Sequence, residues 1–148
     1  MIRLRPHHLL CMLTYAGRGY TPRFISGMDD LIARLGQGEE IVVVAGPDDI
    51  CRPWLTDPEK PTDPDALQPH CHEPRIDGRD RHAAADIGRL LNLPIETGTR
   101  LRLDRDLLAR LRDAFRDGSI RSGCAGCQWQ SFCDDLSQQD FQGCRLTA

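Results

Sequence analysis

No apolar run in this 148-residue chain approaches the length of a membrane-crossing helix, so a membrane is not expected as a partner. There is no internal repeat and no low-complexity tract. The N-terminus carries basic residues but lacks the apolar stretch and small-residue cleavage site of an export signal, and a cytoplasmic location is the expectation. Lysine is nearly missing: Lys60 is the only one, and arginine supplies the rest of the positive charge. With a formal net charge of −3 the chain has no broad basic field, which argues against nucleic acid. A G-x-S-x-G elbow, a P-loop and a dinucleotide-binding fingerprint are all absent, so no catalytic motif marks an enzyme. A cysteine nucleophile paired with His7, His8, His70 or His72 stays open, because such partners meet only in space.

What the chain does have is cysteine. Seven is an odd number, and without an export signal it points to metal or redox chemistry rather than a disulfide framework. The densest group is Cys124-Ala125-Gly126-Cys127, with Cys133 five residues further on. Two thiols two residues apart can grip one centre while the backbone turns between them, and Gly126 eases that turn. Cys133 can return to the same centre from the start of a helix. Thiolate-rich sets of this kind hold tetrahedral zinc or iron–sulfur clusters, and ligand type alone distinguishes neither. Cys144, beside Gly143, reads as a small buried hydrophobe.

The expected fold is α+β and mostly helical, with about five helices around a small two-stranded sheet and a long Pro-rich loop. At this length one metal-binding domain, 1–148, can bury roughly two-thirds of its unfolded surface. Pro6 suits a first helical turn, Leu9, Leu10 and Leu13 give that helix its apolar face, and Gly17 stops it. Thr21-Pro22 opens a second helix with Phe24, Ile25, Met28, Leu31, Ile32 and Leu35 on one stripe. Asp80 reads as the cap of a third, closed by Asn92 and Pro94, and Asp104 as the cap of a fourth, stopped at Gly118. A last short helix is expected from Gln128 to about Ser137, packing through Trp129, Phe132 and Leu136. Ile41–Ala45 and Thr99–Leu103 read as strands that pair.

Residues 47–74 stand apart, with seven of the ten prolines and no apolar period. They read as one irregular excursion, tied down at Cys51 and at His70-Cys71-His72, with a mobile middle from Leu55 to Leu67. Cys51 and Cys71 with the neighbouring imidazoles form a plausible second zinc site. In the first helix His7 and Cys11 are four residues apart, on one face, and could donate two ligands.

Four strings together resemble the bacterial and archaeal family called domain of unknown function 1284. They are Arg5-Pro6-His7-His8-Leu9-Leu10-Cys11, Gly17-Arg18-Gly19-Tyr20, Asp48-Asp49-Ile50-Cys51, and Cys124-Ala125-Gly126-Cys127-Gln128-Trp129 with Cys133. The resemblance covers nearly the whole chain, and the opening string is its most specific part. It implies a small cytoplasmic protein that binds an iron–sulfur cluster or another metal, with no established activity. Its motifs map onto Cys11, Cys51, Cys71, Cys124, Cys127 and Cys133. Trp54 stands where some relatives have a further cysteine, so a cluster needing that thiol would here take His70 or His72. The spacing C-x2-C-x5-C is also similar to the last three ligands of the iron–sulfur loop in helix-hairpin-helix DNA glycosylases. The first cysteine of that pattern would fall at Asp117, so a fourth ligand comes from elsewhere: Cys11 first, then Cys51 or Cys71. The expectation is an iron–sulfur cluster, 4Fe–4S favoured, serving a redox or other protein partner. Zinc in a structural or interaction domain is the alternative.

Overall fold

The computed structural model describes residues 1–19, 21–58, 75–125, 127 and 129–148. In chain order it has β1 (Ile2–Leu4), α1 (His8–Cys11) running on into a 3-10 turn (Met12–Thr14), α2 (Pro22–Gly36), β2 (Glu40–Val43), α3 (Arg52–Leu55), α4 (Ile76–Leu91), β3 (Arg100–Arg102), α5 (Arg105–Asp117), a 3-10 turn (Ser122–Cys124) and α6 (Gln130–Gln138). The architecture is α+β and mostly helical.

The helices form where apolar spacing and capping chemistry agree. Thr21 Oγ1 accepts the Phe24 N–H at 3.1 Å, and Pro22 takes the first turn, where its missing N–H costs nothing. One stripe of α2 then buries Phe24, Met28, Leu31, Ile32 and Leu35. Asp104 caps α5 by accepting the Leu107 N–H at 2.7 Å, and Gly118 stops it in the left-handed region at φ 86°. Between those ends Leu108, Leu111 and Phe115 face the core, each burial being worth on the order of 2 kcal/mol.

Three expectations need correction. Asp80 does not cap α4, which begins at Ile76 and carries Asp80 in its second turn; Asn92, at φ 51°, closes it as foreseen. The sheet has three strands, in the order β1-β2-β3. The foreseen pair is present as antiparallel β2 and β3 with Ile41 opposite Leu101, and β1 adds itself parallel to β2 with Ile2 opposite Ile41. Three residues are too short a run to declare a period, so β1 is held by pairing and by the complete burial of Ile2 and Leu4. The Pro-rich excursion is not wholly irregular, because Arg52–Leu55 forms α3 and buries Trp54. The rest of its supposed mobile middle, from residue 59, lies outside the described residues.

The core gathers the sheet's inner face, the stripes of α2 and α5, Ala83 and Ile87 of α4, and the C-terminal anchors Phe141 and Leu146. Among the described residues no helix is long and apolar enough to cross a membrane.

Candidate metal centre

Parallel pairing delivers β1 and β2 to the same edge of the sheet, so Arg5–His8 and Asp48–Cys51 emerge side by side. Asp48 ties them together. Its Oδ2 accepts from the Arg5 N–H (2.7 Å) and meets His8 Nδ1 (2.7 Å); its Oδ1 accepts from Ile50 N (3.0 Å) and Cys51 N (3.2 Å). Burial pushes the Asp48 carboxyl up, but His8 and these N–H groups outweigh it and hold it below its ordinary value. An ionised carboxylate only accepts, so His8 Nδ1 carries a proton directed at Asp48.

Asp80 does the same one turn away. It meets His7 Nδ1 at 2.6 Å and accepts from Arg5 Nε at 2.9 Å, while Arg5 Nη2 also reaches Asp77 at 3.4 Å. Burial acts upward on Asp80, and His7 and Arg5 overcome it. His7 is pushed down to about 4, first by burial and then by neighbouring His8, with Asp80 compensating only in part. His7 is therefore neutral at pH 7, the form in which histidine ligates metal. The donor atoms of His7, His8 and Cys11 lie within 4.8 Å of one another, as do those of His8, Asp48 and Cys51.

The C-terminal thiols arrive from the opposite end of the chain. Gly123 lets the 3-10 turn before Cys124 press against α4; a Cβ there would stand 2.8 Å from the Arg79 carbonyl oxygen. Cys124, Cys127 and Cys133 lie within electrostatic reach of Cys11 and disfavour its ionisation. Cys11 keeps some accessible surface because it faces a cavity, yet it lies deep, and burial is the first cause that pushes its thiol well up. Cys133 is pushed up to about 11, again chiefly by burial, while the Thr14 hydroxyl, 3.2 Å from its Sγ, works the other way. Burial raises Cys124 too, against the Arg121 guanidinium beside it. The Trp129 N–H donates to Cys127 Sγ at 3.4 Å.

Burial thus disfavours the charged form of Cys11, Cys124 and Cys133 alike. Arg121 opposes this at Cys124. Its Nη1 pairs with Asp134, its guanidinium stacks 4.3 Å from the Phe115 ring centroid, and it also lies against the Cys124 thiol, whose ionised form it favours.

Of the residues picked out by sequence, Cys124, Cys127 and Cys133 lie within electrostatic reach of Cys11. Cys51 is close to His8 and Asp48 but is disulfide-bonded, so in this form its sulfur is no thiolate ligand. Cys71, His70 and His72 lie outside the described residues. Cys144 packs against the core beside Arg112. Trp129, Phe132 and Leu136 are only half-buried; Trp129 and Phe132, in edge contact at 5.8 Å between ring centroids, face the cavity. Sequence reasoning missed Asp48 and Asp80 as the partners of the two imidazoles, and Thr14 and Arg121 as neighbours of the thiols. Asp48, Asp80 and Thr14 work across long separations; the hints were the adjacency of Asp48 to the Cys51 motif and of Arg121 to Cys124.

The fold and these side chains together define a class: a mostly helical α+β protein whose two chain ends converge on a cysteine- and histidine-rich centre. Residues 19–133 match the family described as protein of unknown function (DUF1284), and the chain belongs to that family. The matched span takes in the C-terminal thiols and begins after Cys11. No curated protein matches the chain, and no solved structure does.

Proposed function

We propose that this protein binds an iron–sulfur cluster through Cys11, Cys124, Cys127 and Cys133 and serves in electron transfer with a protein partner in the cytoplasm. One observation carries the reading. Cys11 feels the charge of Cys124, Cys127 and Cys133 together, so four thiols from the two ends of the chain lie within electrostatic reach of one another. Four cysteines are the usual ligand set of a 4Fe–4S cluster. A bound cluster would accept and release a single electron. The chain's own part is to set that potential. The Trp129 N–H, the Thr14 hydroxyl and the Arg121 guanidinium all lie against thiol sulfurs and would favour the more reduced state. Trp129 and Phe132 would keep water from one side.

Anaerobic purification followed by iron, sulfide and visible-absorption analysis tests this. The expected protein is brown, with about four irons per chain. Cys127→Ser and Cys11→Ser should each remove most of the iron, while Cys144→Ser keeps it. A colourless protein, or full iron retention in Cys127→Ser, would sink the assignment.

A second reading rests on its own observation, the close donors of His7, His8 and Cys11. These would suit one zinc ion, with Asp80 and Asp48 holding the imidazoles through Nδ1 and leaving Nε2 for the metal. Stoichiometric zinc that His7→Ala abolishes would establish this structural role, with no electron moved.

A further inference from the structure

The sheet presents an open cationic face and, at β3, an open edge. Ile2, Leu4, Ile41 and Val43 turn inward, so the alternate residues Arg3, Glu40, Val42, Arg100 and Arg102 share the outer face. All three arginines are exposed, and the one acid among these five, Glu40, is engaged with Arg100 at 3.2 Å. β3 is the last strand in the order. The Val43 N–H donates to the Thr99 carbonyl at 2.8 Å, and an antiparallel ladder bonds every second pair. Leu101 therefore bonds across to Ile41, while the N–H and C=O groups of Arg100 and Arg102 point away from β2. No described residue bonds to these four backbone groups. Between them the Leu101 side chain turns inward and stays half-buried, sharing a small apolar recess with Leu91 and Leu107.

Such an edge is a template for another strand. A second copy of this chain is a poor occupant, because antiparallel pairing of two β3 edges sets four arginines side by side. An acidic segment removes that repulsion. We propose that the outer edge of β3 docks an extended segment of a partner protein, of the form acid–apolar–acid, as a fourth strand. The two carboxylates lie opposite Arg100 and Arg102 on the outer face, and the apolar side chain covers Leu101. Four backbone hydrogen bonds join the strands. The inference stands on the sheet alone and is independent of the iron–sulfur reading.

Backbone NMR on the full chain at low salt tests it with two blocked peptides, Thr-Glu-Val-Glu-Thr and Thr-Lys-Val-Lys-Thr. The first should bind about ten-fold more tightly, the effect of two opposite-charge pairs over two like-charge ones. On binding, the amide protons of Arg100 and Arg102 should gain protection from exchange, while that of Leu101, already bonded to β2, changes little. A peptide N-methylated at both glutamates keeps its charge but loses the donors that pair strands, and should bind at least about ten-fold more weakly. Arg100→Thr with Arg102→Thr keeps β-branched residues on the strand and should bring the two charged peptides to equal affinity. No binding of the Glu peptide, equal binding of both peptides to wild type, or unprotected Arg100 and Arg102 amides overturns the proposal. Full affinity of the N-methylated peptide, or a Glu preference that survives the double substitution, does the same. So does a thymidine oligonucleotide that displaces the Glu peptide at lower concentration, since the surface would then serve nucleic acid.

Discussion

Around Asp48 and Asp80, the N-terminal segment buries charge and answers it within the protein. Arg5, 1% exposed, and His7, 5% exposed, meet carboxylates, and Asp48 alone serves four donors. Around Cys124 the C-terminal segment is built the other way. The Cys124 and Cys133 thiols are driven toward their neutral forms by burial, with the Arg121 guanidinium beside Cys124 offsetting it only in part. The first region is a finished electrostatic network that holds the backbone in place. The second is a set of soft donors whose charged state the protein alone does not favour. The contrast separates what positions the centre from what would bind there.

The largest test of that contrast is Asp48→Ala, which strips the acceptor from three backbone N–H groups and one imidazole at once. It should cost about 3–5 kcal/mol in urea unfolding. A loss below about 1 kcal/mol would mean the network is not what holds the two segments together. Next comes pH. The folded His7 titrates at about 4 against 6.5 when unfolded, so the unfolded chain binds more protons between those values. His7's contribution is complete above pH 6.5 and falls by roughly 3 kcal/mol on going down to pH 4. Below that the loss continues as Asp48 and Asp80, held below their ordinary values, take up protons. A flat unfolding free energy from pH 6.5 to 4 would contradict the burial of a neutral His7. Gly123→Ala probes the seam between the regions, where Arg79 and His82 of α4 press on the chain before Cys124. The backbone must move, and a loss of about 1–3 kcal/mol is expected in thermal or urea melts. Unchanged melting would show that the seam gives freely. Smallest is Glu40→Ala on the exposed β2–β3 pair with Arg100, which should shift stability by under about 0.5 kcal/mol. A larger shift would show that surface charge matters more here than the contrast allows.

Local signals in the sequence were reliable where one element's own residues decide its form. The stripes of α2 and α5, the caps at Thr21 and Asp104, the stop at Asn92 and the β2–β3 pair all follow from near neighbours. Asp80 misled because an acidic residue before an apolar stripe looks like a cap, while its actual partners, Arg5 and His7, lie more than seventy positions earlier. β1 was invisible for a similar reason: three residues carry no period, and the strand exists only because β2 is beside it. At the centre, cysteine spacing pointed to three thiols that lie within electrostatic reach of Cys11. It could not reveal the carboxylates behind the histidines, since nothing local links Asp48 to His8 or Asp80 to His7.

The contact between Thr14 and Cys133 spans 119 residues, and it has a consequence for biosynthesis. At about 5–20 residues per second, a ribosome that has just made Cys11 needs on the order of ten seconds to reach Cys133. Throughout that interval the early thiol has none of its later neighbours and is open to oxidation or capture. Any ion or cluster shared by both ends can be loaded only once Cys133 has been synthesised, which makes its insertion a late step in this protein's maturation.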